Sequence, residues 1–374
     1  MPLRTCSAAY RLLFHLVVVG TLQVSQDVDA QWLYTQRGVG YGVKDLGLVV
    51  RDHEDSLVVV ARSRLLPNFE NGYQLPELAT FAPEDWILAK FGADKKLRWF
   101  CRLGGSDVPA FSRLAADRAG DVYAAGFFEG TARLEIGPIS TSLTSRGQRD
   151  ICLVRFGPDG SLVSVRQWGG AGDELAESCT LAGDGSIILA GSFKGTFTAS
   201  LPEGERVLHA PGPVRDGFVL GLDPQGNERW VLHAAVDLPS DPGSSGSILP
   251  LMVGADAAGN CLVTGGFDPR LHLHTGAGTT TFDSRGLWDM FLAKLDANGV
   301  LQWARTAGGP GGDYGLRVLV DGEGSAFVTG RFSEGAWFGE EDTVARLRAT
   351  SGADMFMACY DADGGFLGLS LIHI

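Results

Sequence analysis

Apolar runs, each opened by an aspartate, return along this chain: Asp85-Trp86-Ile87-Leu88-Ala89-Lys90-Phe91, Asp150-Ile151-Cys152-Leu153-Val154-Arg155-Phe156, Asp216-Gly217-Phe218-Val219-Leu220, Asp289-Met290-Phe291-Leu292-Ala293-Lys294-Leu295 and Asp354-Met355-Phe356-Met357-Ala358. Polar residues do not alternate strictly with apolar ones inside them. That predicts strands covered on both faces, as when twisted sheets stack on neighbouring sheets. By subtraction, the aspartates stand 65, 66, 73 and 65 residues apart. A fixed period of this kind signals a propeller or solenoid array.

Within each period the order of signals is the same. A turn follows the first strand at Pro158-Asp159-Gly160, Pro224-Gln225-Gly226, Ala297-Asn298-Gly299 and Ala362-Asp363-Gly364, where glycine supplies the positive φ of a tight hairpin. A second strand carries Trp99, Trp230 and Trp303, each 14 residues after its aspartate, with Ser164 in that place in one repeat and Trp168 four residues on. It ends in Gly104-Gly105, Gly169-Gly170 and Gly308-Gly309, and an acid follows at Asp107, Asp173 and Asp313. In the next hairpin, Gly120, Gly185, Gly259 and Gly324 stand six residues before Gly126, Gly191, Gly265 and Gly330, and Phe128, Phe193, Phe267 and Phe332 come two residues later. A glycine recurring inside a strand points to a packing requirement. A fourth strand and a variable stretch rich in Thr, Ser and Gly, such as Ser142-Leu143-Thr144-Ser145-Arg146-Gly147, complete the repeat.

Four strands in about 65 residues is the content of a propeller blade with long loops. The predicted fold is all-β: a β-propeller of four-stranded antiparallel blades, incomplete, with about five blades and the first strand of another. Its repeats run 85–149, 150–215, 216–288 and 289–353, with a partial one at 354–368. Residues 31–84 read as a degenerate first repeat, in which Leu48-Val49-Val50-Arg51-Asp52 and Leu57-Val58-Val59-Val60-Ala61 are strands while Asp55 and Ala61 replace the two glycines. Terminal repeats are often atypical in this way. An array that does not close leaves a strand edge open.

The pattern resembles the bacterial SBBP β-propeller repeat family, whose repeats run from Asp-x-Phe-Val-x-Lys through Trp and Gly-Gly to Asp-x-x-Gly-Asn-x-Tyr-x-x-Gly-x-Phe. Asp256-Ala257-Ala258-Gly259-Asn260 and Asp117-Arg118-Ala119-Gly120-Asp121 match the last block. The similarity covers about 85–366 well and 32–84 weakly. It implies an exported, modular protein and no single activity.

Both ends carry separate signals. In residues 1–30, Arg4 and Arg11 precede the apolar run Leu12-Leu13-Phe14-His15-Leu16-Val17-Val18-Val19, and Val28-Asp29-Ala30 offers small residues before Gln31. This predicts a cleaved signal peptide and a secreted or cell-surface location, the alternative being an uncleaved anchor. At the other end, Leu369-Ser370-Leu371-Ile372-His373-Ile374 is what the frame CTG TCT CTT ATA CAC ATC encodes. That frame resembles a transposase mosaic-end adaptor, so residues 369–374 are expected to be adaptor-derived, the alternative being a natural last strand.

Fifty-two glycines with no long helical stripe agree with short strands and turns. After residue 30 no segment approaches the roughly 20 apolar residues of a spanning helix, so no membrane span is expected in the mature chain. A formal charge of −13 with no basic stripe argues against nucleic acid as a partner. Cys101, Cys152, Cys179, Cys261 and Cys359 occupy non-equivalent places in the repeat. They are expected to be mostly buried thiols, with Cys152–Cys179 as the alternative bridge.

No catalytic residue, metal ligand or resident cofactor is assigned from the sequence. Asp107, Asp173 and Asp313 would form an acidic ring on one loop face of a circular array, a candidate binding surface. The alternative is that each caps its own turn. The insertion Asp237-Leu238-Pro239-Ser240-Asp241-Pro242-Gly243-Ser244-Ser245-Gly246-Ser247 lengthens the same loop. Acidic turns such as Asp361-Ala362-Asp363-Gly364 allow calcium, but lack the alternating acids and distant Glu of a helix-loop-helix site. His272-Leu273-His274 places two imidazoles on one side of a strand with no third ligand nearby in sequence. Trp99, Trp230 and Trp303 either pack between repeats or line a sugar-binding groove. The expected function is a non-enzymatic binding or scaffold module at or outside the cell surface, for a protein or glycan partner. A polysaccharide hydrolase or lyase is the alternative, which a carboxylate pair across a cleft would favour.

Overall fold

The structure, a computed structural model, describes residues 43–63, 85–106, 109–238, 246–339 and 345–372. The signal-peptide segment, Asp107 and residues 239–245 of the insertion lie outside them. The described residues form 24 strands and no helix. Contacts divide the chain into two compact units, each described by itself: 1–124, 128–144 and 153–165, and 125–127, 145–152 and 166–374.

In the first, β1 (Val43–Arg51), β2 (Leu57–Ser63), β3 (Asp85–Phe91) and β4 (Leu97–Gly105) form an antiparallel meander. The two runs of the degenerate repeat are therefore strands, joined by a turn in which Asp55 takes the left-handed conformation that glycine holds elsewhere, at φ 62°. Strands β5 (Ala110–Ala116), β6 (Val122–Ile136), β7 (Ile139–Phe156) and β8 (Leu162–Trp168) follow, with β5 on β6 and β6, β7 and β8 adjacent in order.

In the second unit, β9 (Asp173–Leu181), β10 (Ile187–Leu201), β12 (Asp216–Leu222) and β13 (Glu228–Val236) form one meander. Strand β11 (Gly204–Ala210) pairs with the far half of β10. A second meander is β15 (Met252–Ala255), β16 (Cys261–Asp268), β19 (Asp289–Leu295) and β20 (Leu301–Ala307), with the short β14 (Ser247–Ile248) also on β16. A third is β21 (Tyr314–Val320), β22 (Ala326–Phe338), β23 (Ala345–Tyr360) and β24 (Phe366–Ile372).

The sheets are out of phase with the sequence period. The period opens on the aspartate-led strand, but in the meanders that strand comes third: β3, β12, β19 and β23 each have two strands of their meander before them and one after. Asp354 therefore lies in the third strand of a four-stranded sheet, and Leu369–Ile372 belong to its fourth, paired from Met355 with Ile372 to Tyr360 with Phe366. A strand buried on both faces needs backbone partners on both edges, and here they come from before and after it.

Burial is complete in two of the aspartate-led strands: all seven residues of β12 and of β19 are buried, whereas from Asp354 on buried and part-buried residues alternate. Alternate residues of β19 feed different cores. Phe291, Ala293 and Leu295 pack with β10, β13 and β16, whereas Met290 and Leu292 pack with β20 to β23. This is why the sequence shows apolar runs instead of alternation.

The glycine landmarks mark close approaches. Gly191, Gly265 and Gly330 are the direct cross-strand partners of Phe218, Phe291 and Phe356. A Cβ on Gly330 would fall 2.4 Å from the Phe356 ring and 2.2 Å from the Tyr314 carbonyl oxygen. In the degenerate repeat the pair is Ala61 with Ile87, with neither glycine nor ring. Gly126 lies in β6, and Phe128, Phe193, Phe267 and Phe332 are fully buried. Phe193, Phe267 and Phe332 stand opposite the opening aspartates Asp216, Asp289 and Asp354.

Gly-Gly has two uses. A Cβ on its first residue would meet the aspartate carboxyl, 2.2 Å from Asp150 at Gly169 and 2.4 Å from Asp289 at Gly308. Its second residue lets a hairpin from the following meander approach: Gly105 pairs with Ala132, and a Cβ on Gly309 would fall 1.8 Å from the Gly335 carbonyl oxygen. Such hairpins cover the last strand of the preceding meander. Strand β6 pairs with β4, and β17 (Arg270–His274), which leads into β18 (Thr279–Asp283), pairs with β13. An otherwise open edge is thereby protected.

Candidate functional site

The opening aspartates are buried, and what faces each one differs. Asp85 receives the Arg102 guanidinium, with Nε 2.8 Å away, in a buried ion pair. Asp150 accepts from Gln167 Nε2 at 2.7 Å, and Asp216 is 2.8 Å from His233 Nε2. Asp354 accepts from the Thr350 N–H at 3.1 Å. Asp289 is fully buried, and neither carboxylate oxygen completes a hydrogen bond. Burial pushes its pKa up to about 7; the Arg285 main chain and charge pull it back only in part, and Asp268 adds to the rise.

The two described acids of the predicted loop ring are buried as well, and their surroundings are unlike. Asp173 accepts from Arg149 Nε at 2.6 Å and Nη2 at 2.7 Å, and also from Arg215. Burial works to raise its pKa, but the two arginines outweigh it and hold the carboxyl below its ordinary value. Asp313 meets backbone only, accepting from the Gly309 N–H at 2.8 Å and the Ser333 N–H at 3.1 Å. Burial pushes it up to about 7. Asp313 thus caps its own turn, whereas Asp173 is an arginine-paired acid.

The residue that matches Asp313 is Glu174. Glu174 accepts from Gly170 just as Asp313 accepts from Gly309, four residues back, and burial likewise pushes it up to about 7. Counting five residues from the first glycine of each Gly-Gly would have found it; taking the first acid after the pair gave Asp173. Asp150 with Glu174, and Asp289 with Asp313, are therefore buried acid pairs behind the Gly-Gly turns.

The tryptophans serve as latches. The Nε1 of Trp99, Trp230 and Trp303 donates to the carbonyl oxygens of Pro158, Ala297 and Ala362 at 3.0, 3.1 and 2.9 Å. Each acceptor opens the turn of the next repeat, whose glycine lies flat on the indole: a Cβ on Gly160, Gly299 or Gly364 would fall 2.4–2.6 Å from the ring. All three indoles are buried. Where Ser164 replaces the tryptophan, Arg166 reaches Asn227 Oδ1 at 3.0 Å instead.

The acidic turns are self-capped. In each, one aspartate oxygen accepts from the N–H groups two and four residues on, as Asp256 does from Ala258 and Asn260 and Asp361 from Asp363 and Gly365. Among the described residues no three His, Cys, Asp or Glu side chains converge on a point that could hold a metal. None of the described cysteines forms a disulfide, and burial pushes the thiols of Cys101, Cys152 and Cys261 up. Among the described residues no helix is long and apolar enough to cross a membrane.

A groove of about 730 Å³ lies along the β22–β23 hairpin, with Trp337, Arg346, Arg348 and Thr350 on its walls and Pro310 and Glu334 at its margin. Arg346 is the cross-strand partner of Trp337, and Arg348 that of Gly335. Both arginines are exposed. The residues around it, SEGAWFG and ARLRAT, show no periodic landmark, so only the fold reveals it.

No family model matches the chain, and no curated protein matches it. Among solved structures, one of U3-55K is similar at 8% identity and a TM-score of 0.25, covering 73% of this chain and 98% of that one. At that TM-score the likeness carries no argument.

Proposed function

We propose that the chain is an exported, non-enzymatic binding module of β-propeller build, belonging with the SBBP-type repeats and working at or outside the cell surface. The phased meanders, three of them latched to a following turn by an indole and a glycine, support the propeller reading, with five four-stranded blades. The observation that carries the binding role is the groove along β22–β23, which pairs an aromatic wall with two exposed arginines in a chain of net charge −13. Trp337 offers a stacking surface, and planar guanidinium groups two residues apart suit carboxylate or sulfate groups. An anionic extracellular glycan fits this chemistry.

The hydrolase alternative requires a carboxylate pair across a cleft. The acids with raised pKa are instead buried behind the Gly-Gly turns, where no sugar could reach them. A glycan array with the whole protein tests the reading. Retention of carboxylated or sulfated chains, lost in Arg346→Ala/Arg348→Ala, is expected. Release of shortened products would overturn it.

A further inference from the structure

The groove along β22–β23 is held from behind by a buried acid. The two oxygens of Asp313 accept from different segments: Oδ2 from the Gly309 N–H at 2.8 Å and Oδ1 from the Ser333 N–H at 3.1 Å. Ser333 adds a second tie, its Oγ accepting from the Gly312 N–H at 2.7 Å. Gly308 pairs with Trp337 in both directions, at 3.0 and 3.2 Å. The turn 308–312 and the base of the groove hairpin are thus stitched into one seam, and Trp337, the aromatic wall of the groove, takes its place from it. We propose, on the reading of this groove as the binding site, that Asp313 is its positioning residue, and that Asp289 behind it releases the seam when the two carboxyls are charged.

The seam sits where β22 is least able to hold itself. Ladder register shifts between Ser333 and Gly335, and Glu334 between them adopts the left-handed conformation at φ 59°. A non-glycine residue keeps that conformation only where its surroundings fix it. Here the Asp313 carboxyl fixes the residue before it. Gly309 packs against the residue after it, where a Cβ on Gly309 would also fall 2.4 Å from the Trp337 ring.

Asp289 supplies the release. Its carboxyl lies against the Gly308 backbone, where a Cβ would fall 2.4 Å from Oδ1, and neither oxygen completes a hydrogen bond. Trp288, the residue before it, accepts from the Asp313 N–H at 2.8 Å, which brings the two acids together. The charged groups facing the pair are Arg285 and Asp268 at Asp289, and Glu334 at Asp313; Asp354, on β23, is engaged with Thr350. Burial pushes both carboxyls up to about 7, opposed by Arg285 and the backbone N–H groups and aided by the neighbouring acids. The closed seam therefore keeps a proton that an open one gives up, so it is firm below about pH 7 and loosens as pH rises through that value. Among the described residues no histidine lines the groove, so a response of ligand binding between about pH 6 and 8 comes from behind it.

The test reads retention of the whole protein on immobilised chondroitin sulfate, which carries carboxylate and sulfate together, at pH 6 and pH 8, alongside hydrogen exchange of the backbone amides. Asp313→Asn keeps the shape but offers one acceptor oxygen for two N–H groups. It should bind roughly tenfold more weakly at pH 6 and lose protection at Ser333 and Trp337, while β12 exchanges as in the parent. Ser333→Ala leaves Asp313 in place and should shift both readings the same way, which covers misfolding of the first variant. Glu174→Gln, the same change behind the other Gly-Gly turn, should leave both as they are. The parent should bind roughly fivefold more weakly at pH 8 than at pH 6, and Asp289→Asn should flatten that profile. A parent that does not bind at either pH sinks the binding role of the groove, whereas the seam stands or falls by exchange. Unchanged exchange at Ser333 and Trp337 in Asp313→Asn, equal losses in Glu174→Gln, or a pH profile that survives in Asp289→Asn would overturn the proposal.

Discussion

Asp289→Asn isolates the energetic consequence of burying a carboxyl without partners. Asp289 is raised from 3.8 to about 7 in the folded chain. Between those values the native state holds a proton that the unfolded state has released, so stability falls as pH rises through the window and levels off above about pH 7. At 1.36 kcal/mol per pH unit, the two units from pH 5 to pH 7 cost the parent protein roughly 3 kcal/mol at this residue. Asparagine keeps the shape and does not titrate. Its amide also needs partners, but that cost is the same at both pH values and cancels in the difference. The assay is urea unfolding of parent and variant at pH 5 and pH 8. The variant should gain roughly 3 kcal/mol on the parent in moving from pH 5 to pH 8. A change below about 0.5 kcal/mol, or of opposite sign, would refute the claim that Asp289 is protonated in the fold. Because Asp289 raises Asp313, Asp289→Asn/Asp313→Asn should gain less than the sum of the single variants.

Three further outcomes follow from the packing. Gly330→Ala forces a Cβ against the Tyr314 carbonyl and the Phe356 ring and should destabilise by roughly 1–3 kcal/mol, read from the denaturation midpoint, with part recovered in Gly330→Ala/Phe356→Leu. Trp303→Ala should cost roughly 3–5 kcal/mol by leaving a cavity, whereas Trp303→Phe should lose roughly 1 kcal/mol for its hydrogen bond to Ala362 together with some packing; thermal unfolding separates the two. Lys95 occupies the turn position that glycine holds in the other repeats, at φ 63° and exposed. Lys95→Gly should therefore be stabilising by up to about 1 kcal/mol, measured as a rise in Tm.

The sequence was most informative where structure is local. A positive φ at Gly120, Gly185, Gly259 and Gly324 is a requirement of a four-residue turn, and it repeats because the turn repeats. Gly-x-Phe was legible for a related reason: in three copies the glycine faces a ring on the adjacent strand, a close approach that recurs with the hairpin. Burial of β12 and β19 on both faces could likewise be read from their unbroken apolar character, whereas the equally apolar strand from Asp354 on is buried at alternate residues only.

Strand partnership was not local. Hydrogen-bond partners are chosen by what lies beside a strand in space, so the phase of the sheets, the hairpins that cover β4 and β13, and the place of Asp354 in a third strand needed the tertiary structure. Charge environments needed it too. Asp173 and Asp313 look alike in sequence, yet two arginines surround one and only peptide groups the other, and Glu174 takes the place that Asp173 appeared to hold. Asp237 meets His272 from 35 residues away, which spacing along the chain cannot show. The amino-acid order alone thus determined the repeating turns, strands and glycine–aromatic contacts, because these depend on neighbours a few residues apart. Which carboxyl is paired, which is left without a partner and which side chains share a face was decided only when distant segments came together and water was excluded.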